Sequence, residues 1–255
     1  MKRPGTGGNC GATGIPTVVR ALAVALVLLL PVSCSVMKMN VMLDLRSSTL
    51  AFDSNSAYPG YDVVRLNYSG RGTSSQTATA YGAPDVPEWG FQVVLPQYVR
   101  VKSVAGVATD AESIPGSFRL MPHQRPMRMP GIMKTLPYEK TAPSEFVPPL
   151  PEIYGSVKPY PPQLYAYVCQ GRPYDFNVAS IVAYPVQYIP REGKLTFYRR
   201  YRFVLTLVPD RSGFDPNRVQ PSGVVRKNLE ESVRSLVINP EDVTRFAPWG
   251  SSTGQ

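Results

Sequence analysis

Few side chains of this chain could carry out catalysis. The 255 residues include one histidine, His123, and three cysteines, of which Cys169 is the one far from the N-terminus. A cysteine peptidase activates a thiolate with an imidazole, so Cys169 and His123 are the pair to consider. His123 lies in a proline-rich stretch and Cys169 precedes Gln170-Gly171. Neither has the local sequence of a nucleophile or an oxyanion pocket. The sequence therefore predicts no catalytic residues, and we expect Cys169 to be a small buried hydrophobic residue.

Other kinds of reactive or ligand-binding site are also absent from the sequence pattern. One histidine and one cysteine far from the N-terminus, Cys169, cannot complete a closed zinc site. The acidic residues do not have the spacing of a calcium-binding loop. Ser69-Gly70-Arg71-Gly72 marks a turn without a following helix, so it does not predict a phosphate-binding loop. We expect no metal and no cofactor. The net charge of +9 is spread over strands and one loop, which argues against a nucleic-acid partner.

The basic residues that remain of interest lie in a proline-rich stretch, residues 121–162. It holds eleven of the 27 prolines of the chain. Proline at this density neither continues a helix nor donates in a central strand, so we expect a long exposed loop. Arg125, Arg128 and Lys134 are its candidate contact residues.

Alternating apolar residues predict that this loop belongs to a β-domain. Within 176–208 two alternating arms flank the polar turn 190–193, which predicts a long antiparallel hairpin with one buried face. Apolar residues at helical spacing predict an amphipathic helix over 224–239. The predicted fold class is all-β, an antiparallel β-sandwich with a long proline-rich loop, followed by one C-terminal helix. The other predicted strands are 49–52, 61–67, 90–95, 99–107 and 164–169.

Three patches of this β-region resemble the propeptide domain of gingipain-type cysteine peptidases. They are the YGAPDVP segment at 81–87 with the strand after it, the proline-rich approach at 154–161, and the hairpin sequence at 184–195. The resemblance covers about residues 48–208. It implies a non-catalytic domain that assists folding of a gingipain-like cysteine peptidase and keeps it latent. The peptidase would follow in a longer precursor or be a separate chain. The resemblance also implies that Arg125, Arg128 or Lys134 can occupy the specificity pocket of that enzyme.

The N-terminal residues 1–35 have the features of a secretion signal. A basic start precedes the apolar run 21–30, and Pro31 and small residues follow it. We expect removal by signal peptidase and a secreted or cell-envelope location, with an uncleaved anchor as the alternative. Cys34 is a candidate lipidation site, although Pro31 stands where a lipoprotein box has leucine. Beyond the signal we expect a spacer at 36–47, the sandwich at 48–209, a linker at 210–223, the helix at 224–239 and a disordered tail at 240–255.

Two further interpretations concern processing and a different function. Arg218, Arg226 and Lys227 are candidate sites for proteolytic release, because a protease needs an exposed and unfolded basic segment, although the last two could equally begin a helix. A different function would be an envelope-associated module that binds glycans or proteins, and a third hypothesis is a stand-alone cysteine peptidase. The binding module would use exposed aromatic residues, namely Tyr58, Tyr61, Tyr81, Trp89 and Tyr98.

Overall fold

The structure is a computed structural model, and it describes residues 36–54, 58–76, 80–125, 146–212 and 221–249. Antiparallel strands dominate these residues, together with a short helix α1 (Pro151–Tyr154) and a longer helix α2 (Gly223–Leu236). No helix among them has the length and apolar composition needed to cross a membrane. The strands are β1 (Met37–Asp44), β2 (Thr49–Ser54), β3 (Asp62–Asn67), β4 (Thr73–Gln76), β5 (Pro87–Val94), β6 (Val99–Ile114), β7 (Tyr165–Gly171), β8 (Val178–Ala183), β9 (Val186–Ile189) and β10 (Lys194–Pro209).

Two four-stranded sheets form the framework. In the first sheet β10 lies between β1 and β6, and β9 pairs with the start of β10. The second sheet has the order β4-β5-β8-β7, and β2 and β3 form a separate pair. Phe203 of β10 contacts Phe91 of β5 and Tyr165 of β7, with ring centroids 5.4 and 5.5 Å apart, so the two sheets face each other. This arrangement confirms the predicted antiparallel β-sandwich with a C-terminal helix.

The strand β10 supplies much of the core, and its predicted alternation is confirmed. One face is buried between the sheets because every second side chain is apolar. Arg199 is the exception in that series. Its guanidinium reaches Glu112, with Nη2 2.6 Å from Oε2, and lies over the ring of Phe197. The buried residues of this face are Leu195, Phe197, Tyr201, Phe203, Leu205 and Leu207.

The predicted long hairpin is shorter than expected. Only β9 pairs with the beginning of β10, while residues 178–183 form β8 in the second sheet. The chain crosses between the sheets at Tyr184-Pro185, and proline has no N–H with which to continue a ladder. The Pro185 carbonyl still accepts a hydrogen bond from the Tyr198 amide, at 2.8 Å. The first arm therefore divides its residues between the two sheets.

Residues 36–47 are not a spacer. Their strand β1 pairs with β10 over eight consecutive residues, from Met37 opposite Leu207 to Asp44 opposite Arg200. Val41, Leu43 and Leu45 are buried in the core. The alternation is short, and methionine, lysine and asparagine occupy the remaining positions, so the sequence pattern of this strand was weak.

The segment after α2 is ordered as far as residue 249, unlike the predicted disordered tail. Val237 forms a bridge with Gln92, and the Asn239 side chain makes two hydrogen bonds to the backbone of Val94. Trp249 packs edge-on against Phe176. Tertiary contacts hold this segment in place. Its few apolar residues, Val237, Val243 and Ala247, pack into a second, smaller core beside β5 and β8. Residues 250–255 lie outside the described chain.

Candidate functional site

The proline-rich loop begins and ends at the same turn. The amide of His123 donates to the Ala83 carbonyl at 2.7 Å, and the amide of Gly82 donates to the His123 carbonyl at 2.9 Å. At the other end, the amide of Leu150 donates to the Gly82 carbonyl at 2.9 Å. We call the turn 81–85, with His123 and Leu150, the loop clamp. It holds both ends of the loop against the YGAPDVP segment that the sequence singled out.

Glycine is required at the centre of the loop clamp. Gly82 has a φ of +86°, in the left-handed region that side chains disfavour. A Cβ atom there would lie 2.7 Å from the carbonyl oxygen of Pro148. The turn conformation and the close approach of the returning chain therefore both depend on the missing side chain.

Two polar side chains tie the loop ends together. Gln124 donates from Nε2 to the carbonyls of Pro122 and Val147, and its Oε1 accepts from the Val147 amide at 2.9 Å. The hydroxyl of Tyr154, in α1, donates to the Leu120 carbonyl at 2.7 Å. Burial raises the pKa of Tyr154, which keeps this hydroxyl protonated as a donor. The described parts of the predicted exposed loop are thus anchored to the sandwich.

An ionisable pair lies within the loop clamp. His123 Nδ1 is 3.5 Å from Asp85 Oδ1, and the two side chains are 20% and 23% exposed. Burial raises the pKa of Asp85, and His123 acts in the opposite direction. The ring of Tyr81 stacks parallel to the imidazole at 5.6 Å, and the Arg125 guanidinium lies 5.8 Å from the Tyr81 centroid. An open groove of about 600 Å³ adjoins the pair.

The predicted contact residues of the loop are only partly described. Arg125 is exposed and stands at the first end of the loop, next to the clamp. Arg128 and Lys134 lie outside the described residues, so their role stays a prediction. The same holds for Cys34, for the whole predicted signal 1–35 and for Arg218.

The other two processing candidates lie in the first turn of α2. The Arg226 amide donates to the Ser222 carbonyl, and the Arg226 Nε donates to the Pro221 carbonyl at 2.9 Å. Lys227 follows it in the helix and is exposed. A protease binds substrates as extended chain, so this turn would have to open before cleavage at either residue.

Cys169 is exposed, which corrects the expectation that it is buried. It lies on β7, an edge strand of its sheet, next to an irregularity in the pairing with β8. An edge strand has a neighbouring strand on one side only, so its side chains are less covered than those of a central strand. His123 contacts Asp85 and Tyr81 instead of a thiol. Across the described ranges, no group of three or more His, Cys, Asp or Glu side chains could hold a metal ion.

The aromatic residues considered for a binding platform do not form one surface. Trp89 is 2% exposed and belongs to the core, where its ring meets Tyr68 edge-on. Tyr58 and Tyr61 are partly covered by Phe146, while Tyr81 is covered on one side by His123. Tyr98 is exposed at the start of β6. This distribution gives no support to the glycan-binding interpretation.

Sequence reasoning did not identify Asp85, Gly82 or Gln124 as site residues. The YGAPDVP segment drew attention only by its resemblance to a family, and its glycine and aspartate were not assigned roles. A Gly-containing turn followed by a lone acidic residue gives no sign of its partners, because those partners are contributed by a distant part of the chain.

No family model matches the chain, and no curated protein matches it. Among solved structures, the chain is similar to the complex of the pro- and mature domains of RgpB from Porphyromonas gingivalis, at 13% identity and a TM-score of 0.49. That similarity covers 80% of this chain and 92% of the other. A second similar structure, described as giving insight into the zymogenic latency of gingipain K from the same organism, has 17% identity and a TM-score of 0.43. It covers 67% of this chain and 86% of the other.

Proposed function

We propose that this chain is a propeptide-type domain that binds a gingipain-like cysteine peptidase, assists its folding and holds it latent. The observation that carries the proposal is the loop clamp, which fixes both ends of a basic, proline-rich loop on a rigid sandwich. The clamp is built from one of the three patches whose sequence resembles the propeptide domain of that family.

The anchoring has a direct consequence for binding. A loop whose ends are fixed, and whose prolines restrict its backbone, loses less conformational entropy when it enters a cleft than a free segment does. Arg125, Arg128 or Lys134 would then supply the side chain for the specificity pocket. A cation in a desolvated pocket with a carboxylate partner is a common source of large contributions to affinity.

The domain itself supplies no hydrolytic chemistry in this proposal. The thiolate and the imidazole belong to the partner, and His123 serves the domain's own structure. Residues 1–35 direct export and are removed by signal peptidase, so the protein is secreted. Lipidation of Cys34 would instead require cleavage just before Cys34, and the protein would then stay at the cell envelope. Proteolysis in the linker, with Arg218 as the first candidate, releases the partner.

Inhibition measurements test the proposal. The purified protein is titrated into one Arg-specific and one Lys-specific gingipain-type peptidase, and residual activity is measured on a small substrate. We expect inhibition of one of them, and one of Arg125→Ala, Arg128→Ala or Lys134→Ala should weaken it by roughly ten- to a hundredfold. Lys102→Ala, at an exposed position of β6, is the matched control and should leave inhibition unchanged. Failure of the unaltered protein to bind or inhibit either enzyme would refute the proposal.

A further inference from the structure

The single histidine of the chain lies where the proline-rich loop begins. Its Nδ1 is 3.5 Å from Asp85 Oδ1, which is the separation of an ion pair and longer than a good hydrogen bond. Asp85 Oδ1 is shielded from solvent and has no hydrogen-bond partner among the residues that the structure describes. A shielded carboxylate oxygen without a donor is unfavourable as an anion.

Protonation of this pair changes its interaction energy. Histidine is the side chain that commonly changes charge between about pH 5 and 8. With a proton added, the pair becomes a charge-assisted hydrogen bond, which is about twice as strong as a neutral one. Without that proton the buried carboxylate of Asp85 loses its positively charged neighbour, and its burial as an anion then becomes unfavourable.

The same two residues hold the backbone of the loop clamp. The amide and carbonyl of His123 bond to Ala83 and Gly82, and the amide of Asp85 donates to the Met121 carbonyl at 2.8 Å. Separation of the side chains would therefore pull on the bonds that fix the first end of the loop. The second end has its own bond from Leu150 and the bridge made by Gln124.

The other charged and titratable groups around the pair leave Asp85 as the close partner of the imidazole. Glu88 acts on Asp85 as a like charge but accepts a hydrogen bond from Ser75. The guanidinium of Arg125 lies 5.8 Å from the Tyr81 ring centroid, and Arg65, at the groove, pairs with Asp53. Tyr154 keeps its proton and donates to the Leu120 carbonyl.

We propose that His123 and Asp85 form a proton-operated latch, in which a proton held by the pair in mildly acidic solution tightens the loop clamp and its loss in alkaline solution loosens the first end of the loop. The latch is a property of the isolated protein. Its consequence, that a bound peptidase is released more readily on the alkaline side, rests on the proposed function.

Hydrogen exchange of the purified protein tests the latch without any peptidase. Protection of the Gly82 and His123 amides is measured at pH 5.5 and 8.0 and corrected for intrinsic exchange, and the single imidazole is titrated by NMR in the same samples. We expect protection to be roughly two- to fivefold higher at pH 5.5, in line with a partly exposed charge pair. The difference should disappear in Asp85→Asn and in His123→Gln.

Two comparisons keep the result interpretable. Asp210→Asn replaces a partly exposed aspartate elsewhere in the chain and should retain the pH dependence. Protection of the β10 amides reports whether each variant is folded. Equal protection of the clamp at the two pH values in the unaltered protein, or a pH dependence that survives in folded Asp85→Asn, would overturn the latch. A pH-dependent clamp in a protein that inhibits no peptidase would instead leave the latch intact and refute the proposed function.

Discussion

At the scale of single residues, the loop clamp depends on the missing side chain of Gly82 as much as on the polar side chains around it. Gly82 combines a positive φ with a backbone oxygen where a Cβ would be, so two independent costs apply to any other residue. Asp85 and His123 contribute charge, and Gln124 contributes both a donor and an acceptor to the opposite loop end. Few substitutions at these positions should be tolerated without movement of the loop.

Gly82→Ala is predicted to loosen the loop and destabilise the fold. The left-handed conformation and the contact with the Pro148 oxygen should together lower the free energy of unfolding by about 1–3 kcal/mol. Denaturant unfolding measures this loss, and limited proteolysis within the loop measures the local opening. Gly171→Ala is the matched control, since nothing lies within 4 Å of its Cβ position. Equal stability of the two variants would show that the turn is not under the constraint described.

At the scale of secondary-structure elements, α2 is attached to the sandwich by a small number of contacts. Val233 in the helix and Val237 just after it are buried apolar residues. The side chain of Asn239, further along, makes hydrogen bonds to the backbone of Val94 as a neighbouring strand would. The amide side chain satisfies both the N–H and the C=O of Val94, which would otherwise be buried without partners.

Asn239→Ala is predicted to detach the C-terminal segment. Removal of the amide leaves two buried backbone groups unsatisfied, at a cost of about 2–4 kcal/mol. Hydrogen exchange of α2 should become faster while exchange of β10 stays slow, because the main core is separate from this contact. Asn228→Ala, at an exposed position in the middle of α2, should leave exchange of the helix unchanged or slower, since alanine favours helices. Uniform loss of protection across the whole protein would contradict this division.

Some strands were easier to predict from the sequence than others, because they differ in how clearly one face is apolar and the other polar. β10 alternates apolar and polar residues along most of its length, so its buried face was evident. β4 has the sequence Thr-Ser-Ser-Gln, without an apolar face, and β1 has only a short alternation. The divided hairpin and the loop clamp were not predictable, because both depend on which distant segment a strand or turn meets. The local sequence can indicate that a segment is extended, but it does not determine which distant strand or turn that segment pairs with.

At the scale of the whole molecule, buried tyrosines link stability to pH. The hydroxyls of Tyr188 and Tyr201 donate to the carbonyls of Phe118 and Tyr184, each at 2.8 Å. Burial raises the pKa of Tyr154, Tyr188 and Tyr201. A group whose pKa is higher in the folded state contributes stability that is complete below the unfolded pKa and declines above it.

Stability is therefore predicted to fall as the pH rises above about 10, the ordinary pKa of tyrosine. The unfolded chain loses these phenolic protons there, whereas the folded chain keeps them. Phenolate absorbance followed alongside circular dichroism should show a late group of tyrosines that ionises together with unfolding. Tyr201→Phe removes one of these groups and should flatten the dependence, with a loss of about 1 kcal/mol at neutral pH from its hydrogen bond. Ionisation of all tyrosines before any loss of structure would contradict the burial described.

The pairing of β1 with β10 sets the order in which the protein can fold as it is made. Met37 and Leu207 are partners, yet about 170 residues separate them along the chain. At ordinary rates of translation, β1 waits roughly 10 to 30 s before β10 has been synthesised. Contacts of such long range are also slow to close, because the entropy of the intervening chain must be lost first. A nascent chain that ends before residue 200 therefore lacks most of β10, the central strand of its first sheet. Its β1 is then an unpaired strand with exposed apolar side chains, which chaperones can bind.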